Sequence, residues 1–159
     1  MTVTEKQHAY TASITWTGNK GTGTSAYTAY ERDHIIEVEG KPDIPGSSDP
    51  SFRGNKARYN PEETFVAALS ACHMLWYLHL CSVNQVVVEA YVDHASGTLT
   101  ENSDGSGQFS EVVLHPVVTV KEKKMVDKAL SLHRDANQMC FISRSVKFPV
   151  RHEPQILVQ

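Results

Sequence analysis

Three cysteines and eight histidines carry the redox and metal-ligating capacity of this 159-residue chain. Cys72 sits inside a long, mostly apolar helical pattern that opens at Asn60-Pro61-Glu62-Glu63 and runs to Cys81. Cys140 stands where a second helical pattern runs out. Buried cysteines are commonly small hydrophobes. A thiol becomes a nucleophile only when a cation, a hydrogen-bond donor or a helix N-terminus favours its thiolate. Cys72 lies about 16 Å along its helix, beyond useful reach of the dipole. A cation must come from elsewhere, and Arg32, Arg53 and Arg58 all precede the helix. Glu62 is roughly 15 Å from Cys72 on a straight helix. It cannot act on Cys72 of its own chain, but it can orient an arginine or serve the site of a partner subunit.

Cys72 and Cys81 are separated by two and a half turns and point to opposite sides of one helix. They cannot pair within it, and Cys81 reads as a core or boundary filler. The plausible redox couple is Cys72 with Cys140. His73 follows Cys72 but projects about 100° away from it.

Several elements must position these groups. Residues 8–18 alternate, with Tyr10, Ala12, Ile14 and Trp16 on one face, which predicts a half-buried strand. A turn at Gly18–Gly23 leads to an expected second strand over 24–30, closing a hairpin, and His34–Val38 reads as a third. Residues 40–59 hold three prolines and three glycines and read as a long loop, either a mobile surface loop or a functional one. Asn60 is a preferred N-cap, Pro61 suits the first helical position, and Glu63 completes a capping box. Strands are expected over 85–93, from Leu99, and as one long strand over 109–120. A helix follows over 121–139, with Met125, Ala129, His133, Ala136 and Cys140 at helical spacing, then a last strand over 145–150 and a polar tail. Without a strict βαβ alternation, this order predicts an α+β fold with antiparallel sheets packed on central helices.

The chain length fits one domain that needs no structural disulfide or metal. A net charge of −3 without a basic stripe argues against nucleic acid as a partner. The apolar run Phe65–Cys81 is interrupted by Ser70, His73 and His79 and lies at the short limit for crossing a bilayer, so a core helix is expected and no membrane partner. Residues 1–8 lack an apolar leader, and three cysteines then point to a reducing compartment and a cytoplasmic protein.

The segment Asn60-Pro61-Glu62-Glu63, continued through Ala67-Ala68-Leu69-Ser70-Ala71 to Cys72, resembles the signature of the OsmC/Ohr family. Those names stand for osmotically inducible protein C and organic hydroperoxide resistance protein. Cys140-Phe141-Ile142-Ser143-Arg144-Ser145-Val146 is similar to the family's second-cysteine segment, and Trp16-Thr17-Gly18-Asn19 resembles the OsmC branch. The resemblance covers roughly residues 8–151. It implies a single OsmC-like domain, an intertwined homodimer with sites at the interface, and a thiol peroxidase without metal or bound cofactor. By the same resemblance Cys72 is the peroxidatic cysteine, Cys140 the resolving cysteine and Glu62 the acidic partner of an arginine. Arg53 fits the OsmC branch and Arg32 the Ohr branch, with Arg53 favoured. The substrates implied are organic hydroperoxides, with inorganic peroxide also admitted, and the reductant a dithiol, the lipoyl type included. His73 and Arg144 depart from the usual pattern and bear on peroxide preference.

Two rival classes use the same residues. A Cys/His metal site lacks any C-x-x-C or H-E-x-x-H spacing, and Cys72 and His73 do not share a helical face. A non-catalytic pocket for a small apolar ligand needs the cysteines to be inert core. Phe52, Leu75, Trp76 and Met139 would line such a pocket or an alkyl slot.

Overall fold

The computed structural model describes residues 5–159. The chain divides into two compact units, Met1–Thr64 and Phe65–Gln159.

In the first unit, β1 (Ser13–Trp16), β2 (His34–Glu37) and β3 (Ile44–Gly46) form an antiparallel sheet in that order. Trp16 lies opposite His34, and His34 opposite Gly46. The alternation read in residues 8–18 yields only this short strand. Its apolar face stays open, with Ile14 63% and Trp16 43% exposed. The strand expected over 24–30 does not form. Asn19 Oδ1 accepts from the backbone N–H of Gly21 at 2.8 Å and Gly23 at 3.0 Å, and both glycines take positive φ, which folds the segment into turns. A single bridge joins Asn19 to Tyr30, and β1 pairs with β2 instead. The loop over 40–59 is also more ordered than its composition suggests. It contains β3 and a 3₁₀ turn at Pro50–Phe52, whose start is capped by Asp49 Oδ1 accepting from Ser51 N–H at 2.8 Å.

Helix α1 (Pro61–Val83) opens as its first four residues dictate. Asn60 Oδ1 accepts from Glu63 N–H at 2.7 Å, and Glu63 Oε2 accepts from Asn60 N–H at 3.2 Å, a complete capping box. Its buried residues are Leu69, His73, Tyr77 and Cys81, a stripe at i, i+4 spacing. Phe65, Val66, Trp76, Leu78 and Leu80 pack partly against the cores, while Ala67, Ala68, Ala71 and Leu75 make an exposed apolar strip; the helix is long and apolar enough to cross a membrane by length and composition alone.

The second unit holds the rest of α1 and two three-stranded sheets. One orders β4 (Val88–Asp93), β7 (Pro116–Val120) and β9 (Gln155–Val158); the other orders β5 (Ser96–Glu101), β6 (Gly107–Leu114) and β8 (Val150–His152). The single long strand expected over 109–120 is thus broken at His115 and shared between sheets. Asp93 explains the break: its Oδ1 accepts from His115 N–H at 2.7 Å, while Pro116, lacking an N–H, starts the next strand. The other oxygen of Asp93 accepts from Ser70 Oγ at 2.5 Å, tying α1 to the same point.

Residues 143–145 form a 3₁₀ turn, so the last strands come later than expected, and the polar tail supplies β9. Both β8 and β9 pair in parallel, on β6 and β7, which adds a parallel component to otherwise antiparallel sheets. Helix α2 (Val126–Met139) follows a 3₁₀ turn at Lys123–Met125 and buries Ala129, Leu132, His133 and Ala136. Tyr77 and Cys81 of α1, Ala129, Leu132 and Ala136 of α2, and Val118 and Val120 of β7 make one core; Leu69, Val112 and Leu114 centre another. The fold is α+β, two helices packed with sheets.

Candidate active site

Cys140 follows directly on α2, its backbone turned to an extended conformation while its N–H still bonds Ala136 O at 3.0 Å. The chain then curls, and Ser143 N–H donates to Cys140 Sγ at 3.3 Å. The Cys140 side chain is 1% exposed. The Cys72 thiol is a neighbour of the Cys140 thiol, so the structure brings together the two sulfurs that the sequence singles out. Both are free thiols here, and Cys72 is only half-buried.

Burial pushes the Cys140 thiol up to about 11, with the neighbouring Cys72 adding to the rise and the backbone N–H of Ser143 and Ile142 opposing it. Cys140 is therefore a protonated thiol at neutral pH. Of the two residues, Cys72 is the more exposed. Trp76, one turn on from Cys72, packs edge-on against Phe141 at 5.6 Å between ring centroids. Of the residues suggested for an alkyl slot, Leu75 is 63% and Met139 44% exposed, Trp76 is half-buried, and Phe52 belongs to the first unit.

Cys81 is set apart from this pair. It is 1% exposed; burial raises its thiol, the neighbouring Tyr77 hydroxyl offsetting part of the rise. It is a core residue, as the sequence suggests.

Arg32, Arg53 and Glu62 all belong to the first unit. Arg32 is held there: its guanidinium donates to Tyr30 O at 2.6 Å and Tyr27 O at 2.8 Å and lies over both tyrosine rings. Arg53 closes the 3₁₀ turn in a left-handed conformation, φ 64°, with its guanidinium 5.9 Å from the Tyr27 ring. Arg58 pairs with Asp33 at 3.1 Å. Among the described residues neither Arg53 nor Glu62 makes a salt bridge. No group of three or more His, Cys, Asp or Glu residues is disposed to hold a metal ion, again among the described residues.

The sequence reading missed one arrangement. His73 and His133 are buried and meet across the two helices, His73 Nε2 to His133 Nδ1, at 3.0 Å. Tyr77 stacks on His133 at 3.8 Å, and the His152 ring lies 5.7 Å from His73. The signal was present: each helix carries a histidine on the stripe of positions it buries.

The OsmC-like protein family matches residues 54–155, which takes in the capping box, both cysteines and all but the end of the second unit. The chain belongs to the OsmC-like family. A solved OsmC-like protein of unknown function from Vibrio cholerae O1 biovar eltor is 34% identical, covering 93% of this chain and 99% of its own, with a TM-score of 0.81. An organic hydroperoxide resistance protein from Elizabethkingia anophelis shares the fold at 18% identity, with 97% and 100% coverage and a TM-score of 0.68. One from Legionella pneumophila does so at 19% identity, with 96% and 100% coverage and a TM-score of 0.67. Comparison with curated proteins gives no match. This OsmC-like chain thus shares its architecture with organic hydroperoxide resistance proteins.

Proposed function

We propose that this OsmC-like protein is a cysteine-based peroxidase that reduces organic hydroperoxides. The observation that carries the reading is the closeness of the more exposed thiol residue, Cys72, to a buried, protonated one, Cys140. Their environments support the peroxidatic role for Cys72 and the resolving role for Cys140. The Cys72 thiolate attacks the distal oxygen of ROOH, the O–O bond breaks, and the alkoxide leaves as ROH after taking a proton. Cys72 is then a sulfenic acid. The Cys140 sulfur attacks it, the S–S bond forms, and hydroxide leaves with the Cys140 proton as water. A dithiol reductant restores both thiols through a mixed disulfide and is itself oxidised to a disulfide.

Burial keeps Cys140 a thiol until the sulfenic acid stands beside it. That arrangement favours internal closure over attack on peroxide by the second cysteine. The cation that favours the Cys72 thiolate is Arg53 in this reading, since the Arg32 guanidinium is already engaged by Tyr27 and Tyr30. Glu62, without a salt bridge among the described residues, and the exposed strip Ala67, Ala68, Ala71 and Leu75 of α1 support a homodimer in which a second copy supplies partners for both. The protein is placed in the cytoplasm, where dithiol reductants are available.

The deciding experiment treats the reduced protein with one equivalent of cumene hydroperoxide and maps the peptides by mass spectrometry. A Cys72–Cys140 bridge is expected, and its replacement by three unmodified thiols rejects the peroxidase. Cys72→Ser is expected to abolish turnover, while Cys140→Ser permits one reduction of peroxide and no recycling.

A further inference from the structure

Helix α1 presents Cys72 and His73, successive residues about 1.5 Å apart along its axis. Helix α2 meets them with Cys140 and His133, two turns or roughly 10 Å apart along its axis and close to one stripe. Apolar packing of Tyr77 and Cys81 with Ala129, Leu132 and Ala136 holds the two helices together without fixing a direction. The His73–His133 hydrogen bond adds a directional contact between the helices, one residue from Cys72.

We propose that His73 and His133 are a positioning pair whose hydrogen bond holds Cys140 in register with Cys72 for disulfide formation. The inference builds on the proposed role of the two cysteines but can be tested without any peroxide. The pair suits the task. Burial lowers His73 to about 4 and His133 to about 3, with His152 opposing charge on both, so each ring is neutral at pH 7. One ring then donates and the other accepts, and a buried neutral bond of this kind is directional. The far ring nitrogens, His73 Nδ1 and His133 Nε2, have no hydrogen-bond partner, so the bond to each other is the one polar anchor each ring has among the described residues. Tyr77 fixes the plane of His133 by stacking. The other titratable groups of the cluster are His152 on β8, Tyr91 and Asp93 on β4, and Cys81 on α1, and none of them hydrogen-bonds either ring.

The test is the equilibrium of the Cys72–Cys140 disulfide in glutathione redox buffers at pH 7, read by thiol trapping. A His73→Gln/His133→Asn pair places amide atoms where Nε2 and Nδ1 now meet and keeps a neutral hydrogen bond. The swapped pair, His73→Asn/His133→Gln, has the same amides but the wrong reach on each helix. His73→Leu/His133→Leu removes the bond and keeps the bulk. The matched amides are expected to keep the wild-type equilibrium. The swapped amides and the leucines are expected to shift it about tenfold towards the dithiol, a potential about 30 mV less reducing. His152→Asn, in the same cluster but outside the bond, should change nothing. A wild-type equilibrium in the swapped or leucine pair overturns the proposal, and so does failure of the matched pair to rescue. Should the leucine pair not fold, the contrast between matched and swapped amides decides alone. A wild-type protein that forms no such disulfide overturns it too. A protein that forms the disulfide with this histidine dependence, yet leaves cumene hydroperoxide intact, keeps the positioning pair and loses the peroxidase.

Discussion

Cys140 and Cys81 are equally buried, each 1% exposed, and burial raises both thiols. They differ in what faces the sulfur. Cys81 looks at the Tyr77 hydroxyl inside the core that α1, α2 and β7 share. Cys140 looks at a second thiol on one side and at the N–H of Ser143 on the other. Burial alone therefore does not mark a cysteine as inert. A thiol held down by its surroundings still reacts when the right electrophile forms within bonding distance, and Cys72 is placed to become that electrophile.

The largest expected effect is on turnover. With cumene hydroperoxide and a dithiol reductant, Cys140→Ser should lower steady-state turnover by about a hundredfold or more. Cys81→Ala should leave it unchanged and cost about 1 kcal/mol of stability for the lost sulfur. Equal loss of turnover in both variants would erase the distinction between the two cysteines.

A second expectation concerns acid. His73 and His133 have folded pKa values below the ordinary 6.5, so the unfolded chain binds their protons first. Their contribution to stability is fully present above pH 6.5 and is lost as pH falls from there towards 4 and 3. The slope reaches about 1.4 kcal/mol per pH unit for each histidine. Denaturant unfolding at pH 7 and pH 5 measures it, and the matched amide pair should flatten it. Because the histidines lie in the core that also holds Cys81, acid should loosen both cysteines together, whereas the amide swap should disturb Cys140 alone.

The smallest effect serves as a control at the far end of the same helix. Asn60→Ala removes the acceptor for Glu63 N–H and should cost about 1 kcal/mol in denaturant unfolding. It should leave the disulfide equilibrium untouched. A change there would mean that the thiol contact depends on the stability of α1 at large rather than on its local neighbours.

What could be read from sequence followed from how local the cause was. The start of α1 was legible because Asn60, Pro61 and Glu63 specify it among themselves. The break at His115 was not, because its cause is Asp93 on another strand. Residues 24–30 looked like a strand by composition, yet Asn19 and two glycines outside the segment send it into turns. The tail reads as polar in sequence, although Ile156, Leu157 and Val158 complete a sheet by pairing with residues far back in the chain. At the site, helical spacing excluded a Cys72–Cys81 pair, and the family resemblance supplied the roles. The histidine bond escaped because each ring was considered on its own helix, and a contact between helices has no signature in either alone.

The parallel pairing of β8 with β6 and of β9 with β7 bears on how the chain folds. Both sheets receive an edge strand from one short stretch, 150–158. Until that stretch docks, β6 and β7 each present an unpaired edge that can recruit a neighbouring chain. Pairings between such distant residues also close slowly. A chain in which this stretch has not docked would expose two sticky edges at once, which makes the docking of residues 150–158 a control point for solubility.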